Sequence, residues 1–183
     1  DADDLLLPDS VSAILDGFAK APEAVMVYGD VEWFGDYRTI YRHPRNITWD
    51  ILARTDGFQG SGAAYRMDAW RSVGGLAKDM WASGSDFDFN IGLAERGYKF
   101  SHLGAVIYRY RKYRTSNSEN NAYRCWEKHE AMVRRHPVFF ADEARKRDFL
   151  TTAYTHSFRA LYEANDLARA RNVAQRAVAG GWT

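Results

Sequence analysis

Residues 24 to 28 read Ala-Val-Met-Val-Tyr, an apolar run with no polar interruption. A strand with one face in water alternates polar and apolar residues, whereas a near-continuous run suits a strand buried on both faces. Gly29-Asp30 follows, and Val31-Glu32-Trp33-Phe34 carries the strand on towards a turn at Gly35-Asp36. Ahead of it, Asp9 to Lys20 predicts a helix entered past Pro8, weakened by Gly17, with Val11, Ile14, Leu15 and Phe18 on one face. Helix beside buried strand predicts an α/β fold.

The rest of the chain continues this pattern and then changes. Tyr37 to Arg42 alternates as an exposed strand returning from the turn, and Trp49 to Leu52 has room for one helical turn. The small residues from Gly60-Ser61-Gly62 to Ala64 let a backbone or ligand come close. Asp68 to Val73 predicts a short helix, with Asp68 as N-cap and Gly74-Gly75 as its stop. Ser85 to Glu95 predicts a longer helix ended by Gly97, its apolar stripe being Phe87, Ile91 and Ala94. Tyr98 to Tyr110 reads as one or two strands interrupted at Gly104. From Glu119 the pattern is helical: one helix ends at His136-Pro137, and two more cover Phe139 to Tyr162 and Leu167 to Val178. The division is therefore an α/β body, residues 1–118, and a helical appendage, residues 119–183, packed against it. The last two helices have small-residue spacing similar to a tetratricopeptide-type pair, but one pair does not make an array.

Composition narrows the function classes. The chain has 183 residues, of which 46% are hydrophobic, enough for one domain with a core and an appendage. A formal net charge of +1 gives no field that would draw nucleic acid or an anionic membrane. No apolar stretch approaches the roughly 20 residues that span a bilayer, and no signal-peptide pattern is present. Cys125 stands alone, which excludes an internal disulfide and fits a reducing, cytoplasmic location. The first residue is an acid instead of Met, with no strand before it, so the expectation is a piece of a longer protein.

Two acidic clusters could carry chemistry. Asp1-Ala2-Asp3-Asp4 puts three carboxylates in four residues immediately before Leu5-Leu6-Leu7-Pro8. Such a cluster repels itself unless a cation offsets it, and hard oxygen ligands at this density suit Mg²⁺ or Mn²⁺. The competing explanation is that Asp3 or Asp4 caps the next helix, or that the run is a polar chain end. The second cluster is Ser85-Asp86-Phe87-Asp88. Ser85 and Asp88 have the spacing of a capping box, which accounts for both of them and leaves Asp86 without a structural reason. An ionised carboxylate in a helix's first turn is favoured by the helix dipole and can accept a proton.

The order of these features resembles an inverting family 2 glycosyltransferase of the nucleotide-sugar-dependent GT-A type. The resemblance runs over residues 1–118: Asp-x-Asp-Asp, Leu-Pro and a helix, Val-Tyr-Gly-Asp, the segment Ala64 to Gly75, Ser-Asp-Phe-Asp-Phe to Gly97, and Tyr110 to Ser118. It implies the second half of a GT-A domain followed by the helical appendage. Asp1 and Asp3 then match the Asp-x-Asp pair that holds the divalent metal, Mn²⁺ or Mg²⁺, and the nucleotide diphosphate, with Asp4 as an accessory metal ligand. Asp86 matches the general base acting on the acceptor hydroxyl, and Trp70 with Gly74-Gly75 matches the acceptor side. Arg111, Tyr113 and Arg114 fall where the family contacts metal and diphosphate. The partners implied are a nucleotide-sugar donor and a carbohydrate or lipid-linked acceptor. Any peripheral membrane association would come through other parts of the full-length protein.

Two positions depart from the family. Ser85 replaces the Glu that usually precedes the base, and Tyr113 stands where many relatives carry His. A phenol, with an ordinary pKa of about 10, is a poor divalent ligand at neutral pH. These departures keep open a non-catalytic carbohydrate-binding or scaffold module on the same fold. A phosphotransferase using Asp1 as nucleophile is a weaker alternative, because Asp-Ala-Asp-Asp-Leu lacks the Thr or Val such loops place after the second Asp.

Overall fold

The computed structural model describes residues 2–54, 62–80, 84–114 and 121–182. In chain order the elements are β1 (Leu5–Leu6), α1 (Ser10–Lys20), β2 (Ala24–Gly35), β3 (Thr39–Tyr41), α2 (Trp49–Leu52) and β4 (Ala64–Tyr65). They continue with α3 (Met67–Ser72), α4 (Ser85–Glu95), β5 (Lys99–Lys112), α5 (Cys125–Arg135), α6 (Glu143–Glu163) and α7 (Leu167–Gly180). The architecture is mixed α/β: a five-stranded sheet in the order β1-β5-β2-β3, with β4 also on β2, accompanied by helices. Among the described residues β2 and β5 run parallel and the other pairs are antiparallel.

The apolar run forms the first half of β2 and is buried throughout, as its composition requires. Between Tyr28↔His102 and Asp30↔Val106 the register shifts, so β5 bulges around Leu103 to Ala105. Gly104 lies in that bulge with φ +78°, in the left-handed region that glycine adopts without strain. The interruption expected at Gly104 is thus a bulge within one strand. Opposite it, a Cβ on Gly29 would lie 2.5 Å from Ala105 O and 2.9 Å from Ile107 Cγ1. Glycine is what allows β2 and β5 to pair so closely.

Three local expectations are corrected. In α1 the buried residues are Ser10 and Gly17, while Val11 and Leu15 are 58% and 63% exposed. Gly17 is the helix's point of contact: a Cβ there would overlap Leu103 Cδ2. In α3 the N-cap is Arg66, and Asp68 lies inside the first turn accepting from Ala69 N at 2.8 Å. In α4 every residue from Asp88 to Ala94 is buried, so no stripe pattern applies. A stretch of helix buried on every side has no solvent face for its sequence to mark.

One hydrophobic cluster joins the segments on both sides of residue 118. Met26 and Tyr28 of β2, Leu52 of α2 and Ile91 of α4 belong to the same buried group as Met132, Phe139, Phe149 and Leu161. Phe149 of α6 meets the Phe87 ring at 5.8 Å between centroids. Helices α5, α6 and α7 share one core with β2, α2 and α4.

Gly29→Ala is expected to destabilise the fold by about 1–3 kcal/mol, because its nearest obstacle is backbone. Gly17→Ala should be near neutral, since a flexible side-chain end can yield and a helical glycine gains up to about 1 kcal/mol on becoming alanine. Urea denaturation of both variants checks the contrast. Deleting the chain after residue 118 should expose Met132's and Phe149's partners and lower Tm sharply; a truncated body of unchanged Tm would contradict the shared core.

Candidate functional site

The short strand β1 brings the acidic cluster to the basic end of β5. Leu5 pairs with Arg109 and Leu6 with Tyr108, which places the residues before Leu5 beside Arg111. Asp4 Oδ1 accepts from Arg111 N at 2.7 Å, and Oδ2 accepts from the Tyr108 hydroxyl at 2.8 Å. Arg111 Nε donates to Asp3 O at 2.9 Å. Asp4 is therefore an anchor, with both oxygens engaged. The Asp3 carboxylate is exposed and makes no hydrogen bond or ion pair among the described residues. Neither residue caps α1, whose N-cap is Asp9. Asp1 lies outside the described residues.

The basic run is held from below. The Arg111 guanidinium carbon lies 4.3 Å from the Phe34 ring centre and 6.0 Å from that of Tyr113. Arg114 N donates to Asp36 Oδ2 at 3.0 Å, tying the end of β5 to the turn after β2. Tyr113 and Arg114 are exposed beside this cluster. Tyr108, which sequence reasoning missed, is raised above the usual phenol range by burial, then by its hydrogen bond to Asp4 and the charges of Asp4 and Asp3. A Cβ on Gly62 would meet Tyr108 Cβ at 2.6 Å, so the chain entering β4 also rests on this tyrosine.

Among the described residues, no group of three or more His, Cys, Asp or Glu is arranged around a metal position. Mg²⁺ often binds proteins through one or two carboxylates and takes its other ligands from phosphate and water. The free, exposed carboxylate of Asp3 beside an anchored Asp4 fits that mode.

Asp86 sits apart from this cluster. It occupies the first turn of α4, exposed, with Oδ1 accepting from Phe87 N at 2.9 Å. No hydrogen bond or ion pair among the described residues links it to Asp3, Asp4 or the basic run. Its charge is felt at Tyr65, whose phenol is raised by burial first and by Asp86 second, and whose hydroxyl meets Asn90 Oδ1 at 3.2 Å. Asn90 is one turn on from Asp86, so Tyr65 braces the face on which Asp86 stands. Trp70 packs on Phe89 at 4.7 Å between centroids, and Gly75 fits under its indole, next to the same helix.

The capping box is overturned. Gly84, at φ +92°, is the N-cap of α4 and no side chain caps it. Asp88 is instead buried, with Oδ1 3.1 Å from His136 Nε2 and 3.3 Å from Arg135 Nε. His136 Nδ1 faces Glu95 Oε2 at 2.8 Å, and the other Glu95 oxygen accepts from Phe139 N at 2.8 Å. Buried charge forces this pairing, because an unmatched carboxylate inside the fold is costly. The network fastens α4 to the end of α5.

A second buried acid supports the sheet. Asp30 Oδ1 accepts from His43 N at 3.1 Å and from His102 Nε2 at 3.0 Å, and Oδ2 meets Arg42 Nη1 at 3.3 Å. His102 Nδ1 receives both Gly104 N, at 2.8 Å, and Arg45 Nη1, at 2.9 Å, which leaves Nε2–H as the donor to Asp30. Burial pushes the Asp30 carboxyl up, but the hydrogen bonds from His102 and His43 outweigh it and hold the group below its ordinary range. His102 is thus a structural group, bonded on both ring nitrogens. An acid directly after an apolar run was the available signal for Asp30.

Two histidines set opposite pH dependences. Burial lowers His136, but hydrogen bonds to Asp88 and Glu95 prevail and raise it above 6.5. The folded state therefore keeps a proton the unfolded chain loses, and this stabilisation disappears as pH rises from 6.5 through the raised value. Burial pushes His129 down to about 4 from 6.5, so its effect is lost as pH falls across that interval. His136→Gln should cost about 3 kcal/mol at pH 6 and progressively less above pH 7. Urea melts of both proteins from pH 5 to 9 check this; a constant difference would contradict it.

Compared with known proteins, the chain matches no family model and no curated relative.

Proposed function

We propose that this chain carries the diphosphate- and acceptor-facing half of a metal-assisted, inverting glycosyltransferase. It would move a sugar from a nucleotide-sugar donor to the hydroxyl of a carbohydrate or lipid-linked acceptor. The observation that carries the reading is the meeting of segments 104 to 108 residues apart: Asp3 and Asp4 against Tyr108 and Arg111. A free carboxylate with the fixed Arg111 guanidinium beside it suits a metal–diphosphate group: Asp3 would hold the cation, and the arginine would bind diphosphate oxygens. No helix among the described residues is long and apolar enough to cross a membrane.

Each residue then has one task. Asp3, with Asp1 by the family resemblance, would hold Mg²⁺ or Mn²⁺, and Asp4 orients Asp3 by locking β1 to β5. The metal, when bound, supplies positive charge against the leaving diphosphate. Arg111 and Arg114 add fixed charge there. Asp86 accepts the proton of the acceptor hydroxyl. Its Oδ1 is turned to Phe87 N, which leaves Oδ2 for that hydroxyl. Tyr65 and Asn90 keep the helix face in place, and Trp70 forms the adjoining wall.

Asp86→Asn is expected to leave fold and donor binding intact and to lower transfer by roughly 10²–10⁴-fold, the contribution of a positioned base. Near-normal transfer to a verified acceptor, or a loss that merely tracks unfolding, would exclude Asp86 as base. Asp3→Ala should abolish the heat of binding of Mn²⁺ with a nucleoside diphosphate. Equal binding in both proteins would remove the metal role, and absent binding in wild type would favour the non-catalytic module.

A further inference from the structure

Asp88, Gly92 and Glu95 follow one another at helical spacing, so they share one face of α4 with the glycine between the two acids. His136 occupies that gap. Its Cε1 lies 3.5 Å from where a Cβ on Gly92 would stand, and each ring nitrogen reaches a different acid. Nε2 is 3.1 Å from Asp88 Oδ1, and Nδ1 is 2.8 Å from Glu95 Oε2. A carboxylate only accepts, so both contacts are hydrogen bonds only while the ring carries two protons. A neutral ring has one N–H and one lone pair, and the lone pair then opposes a carboxylate oxygen.

The other partners decide which contact fails. Glu95 Oε1 is taken by Phe139 N, and among the described residues Oε2 has no donor except His136. Asp88 Oδ1 keeps a second donor, Arg135 Nε, at 3.3 Å. The last proton therefore stays on Nδ1 facing Glu95, and the lone pair of Nε2 faces Asp88. Arg135 cannot attend to Asp88 alone, because its Nη2 also donates to both oxygens of Asp79, at 2.8 and 2.7 Å. The charged groups around the ring are thus Asp88 and Glu95 from α4, Arg135 from α5 and, through it, Asp79. Gly84 gives the first turn of α4 no side-chain cap, which leaves Asp88 as that turn's polar tie to α5.

We propose that His136 is a proton-operated latch between α4 and α5. Doubly protonated, it holds both acids; neutral, it keeps Glu95 and releases Asp88, loosening the turn that also carries Asp86. Burial lowers His136, but its hydrogen bonds to the two acids prevail and raise it, so the latch is closed at pH 6 and opens as pH rises through the raised value. The latch itself needs no catalytic role for the chain; only its bearing on Asp86 as a base rests on the transferase reading.

Histidine ¹⁵N spectra and amide hydrogen exchange of the chain from pH 6 to 9 test this. The His136 nitrogens should titrate above 6.5 and finish as the Nδ1–H tautomer. Corrected for the intrinsic pH dependence of exchange, protection of the Asp88 amide, bonded to Gly84 O, should fall at least about tenfold through that titration. The Phe139 amide, held by Glu95, should keep its protection. Asp88→Asn should abolish the fall, since a side-chain amide can donate to the Nε2 lone pair. Should that variant not fold, the exposed Asp79→Asn frees Arg135 for Asp88 and should shrink the fall. A constant Asp88 protection, an Nε2–H tautomer, an equal loss at Phe139 or across β2, or an undiminished fall in the folded variant would overturn the latch. The samples contain no metal, nucleotide or acceptor, so failure here leaves the transferase reading standing.

Discussion

The parallel pairing of β2 with β5 is the constraint from which the rest follows. It runs from Ala24↔Lys99 to Gly35↔Lys112 and can close only because Gly29 has no side chain to meet Ala105 O. Parallel neighbours need a crossover between them, and here the crossover carries α2, β4, α3 and α4. The same pairing puts His102 against Asp30, Arg109 against Glu32, and the edge of β5 where β1 can add. A register error of one residue would turn each of these partners to the opposite face.

Buried charge then decides how the layers are locked. Asp30 sits inside the sheet and Asp88 inside α4, and each is matched by histidine and arginine from segments distant in sequence. Such pairs add little net stability over apolar packing, but removing one partner strands the other. Their effect is to fix one arrangement: the 42–45 segment against the sheet, and α5 against α4. Asp86 stands in the first turn of α4, and Asp4 is tied to β5 through Arg111 N and the Tyr108 hydroxyl.

Much of this was legible in the sequence because local patterns imposed it. The apolar run specified β2, Trp49 to Leu52 gave a single turn, and His136-Pro137 closed α5. Helical spacing failed where tertiary contact overrode it. A glycine in α1 became the contact surface, and Val11 and Leu15 faced outward. A Ser-x-x-Asp spacing suggested a cap at Ser85, whereas the acid was needed by a histidine 48 residues away. Of the candidate site, the residue types at Asp3, Asp4, Asp86 and Arg111 were readable, but the grouping of Asp3 and Asp4 with Arg111, apart from Asp86, was not. Asp4's anchoring by Tyr108 depends on the antiparallel addition of a two-residue strand, too short to announce itself by alternation. The partner of a buried acid is likewise set by topology, which no local window contains.

The central claim is that the Asp3–Arg111 cluster is where a divalent cation and a diphosphate meet. Paramagnetic broadening by Mn²⁺ in the presence of a nucleoside diphosphate locates the ion directly. The account predicts that amide resonances of Asp3, Asp4 and Arg111 broaden first, at Mn²⁺ levels that leave the His136 and Asp30 environments sharp. Broadening centred elsewhere, or none at the Asp3–Arg111 edge under saturating diphosphate, would contradict it.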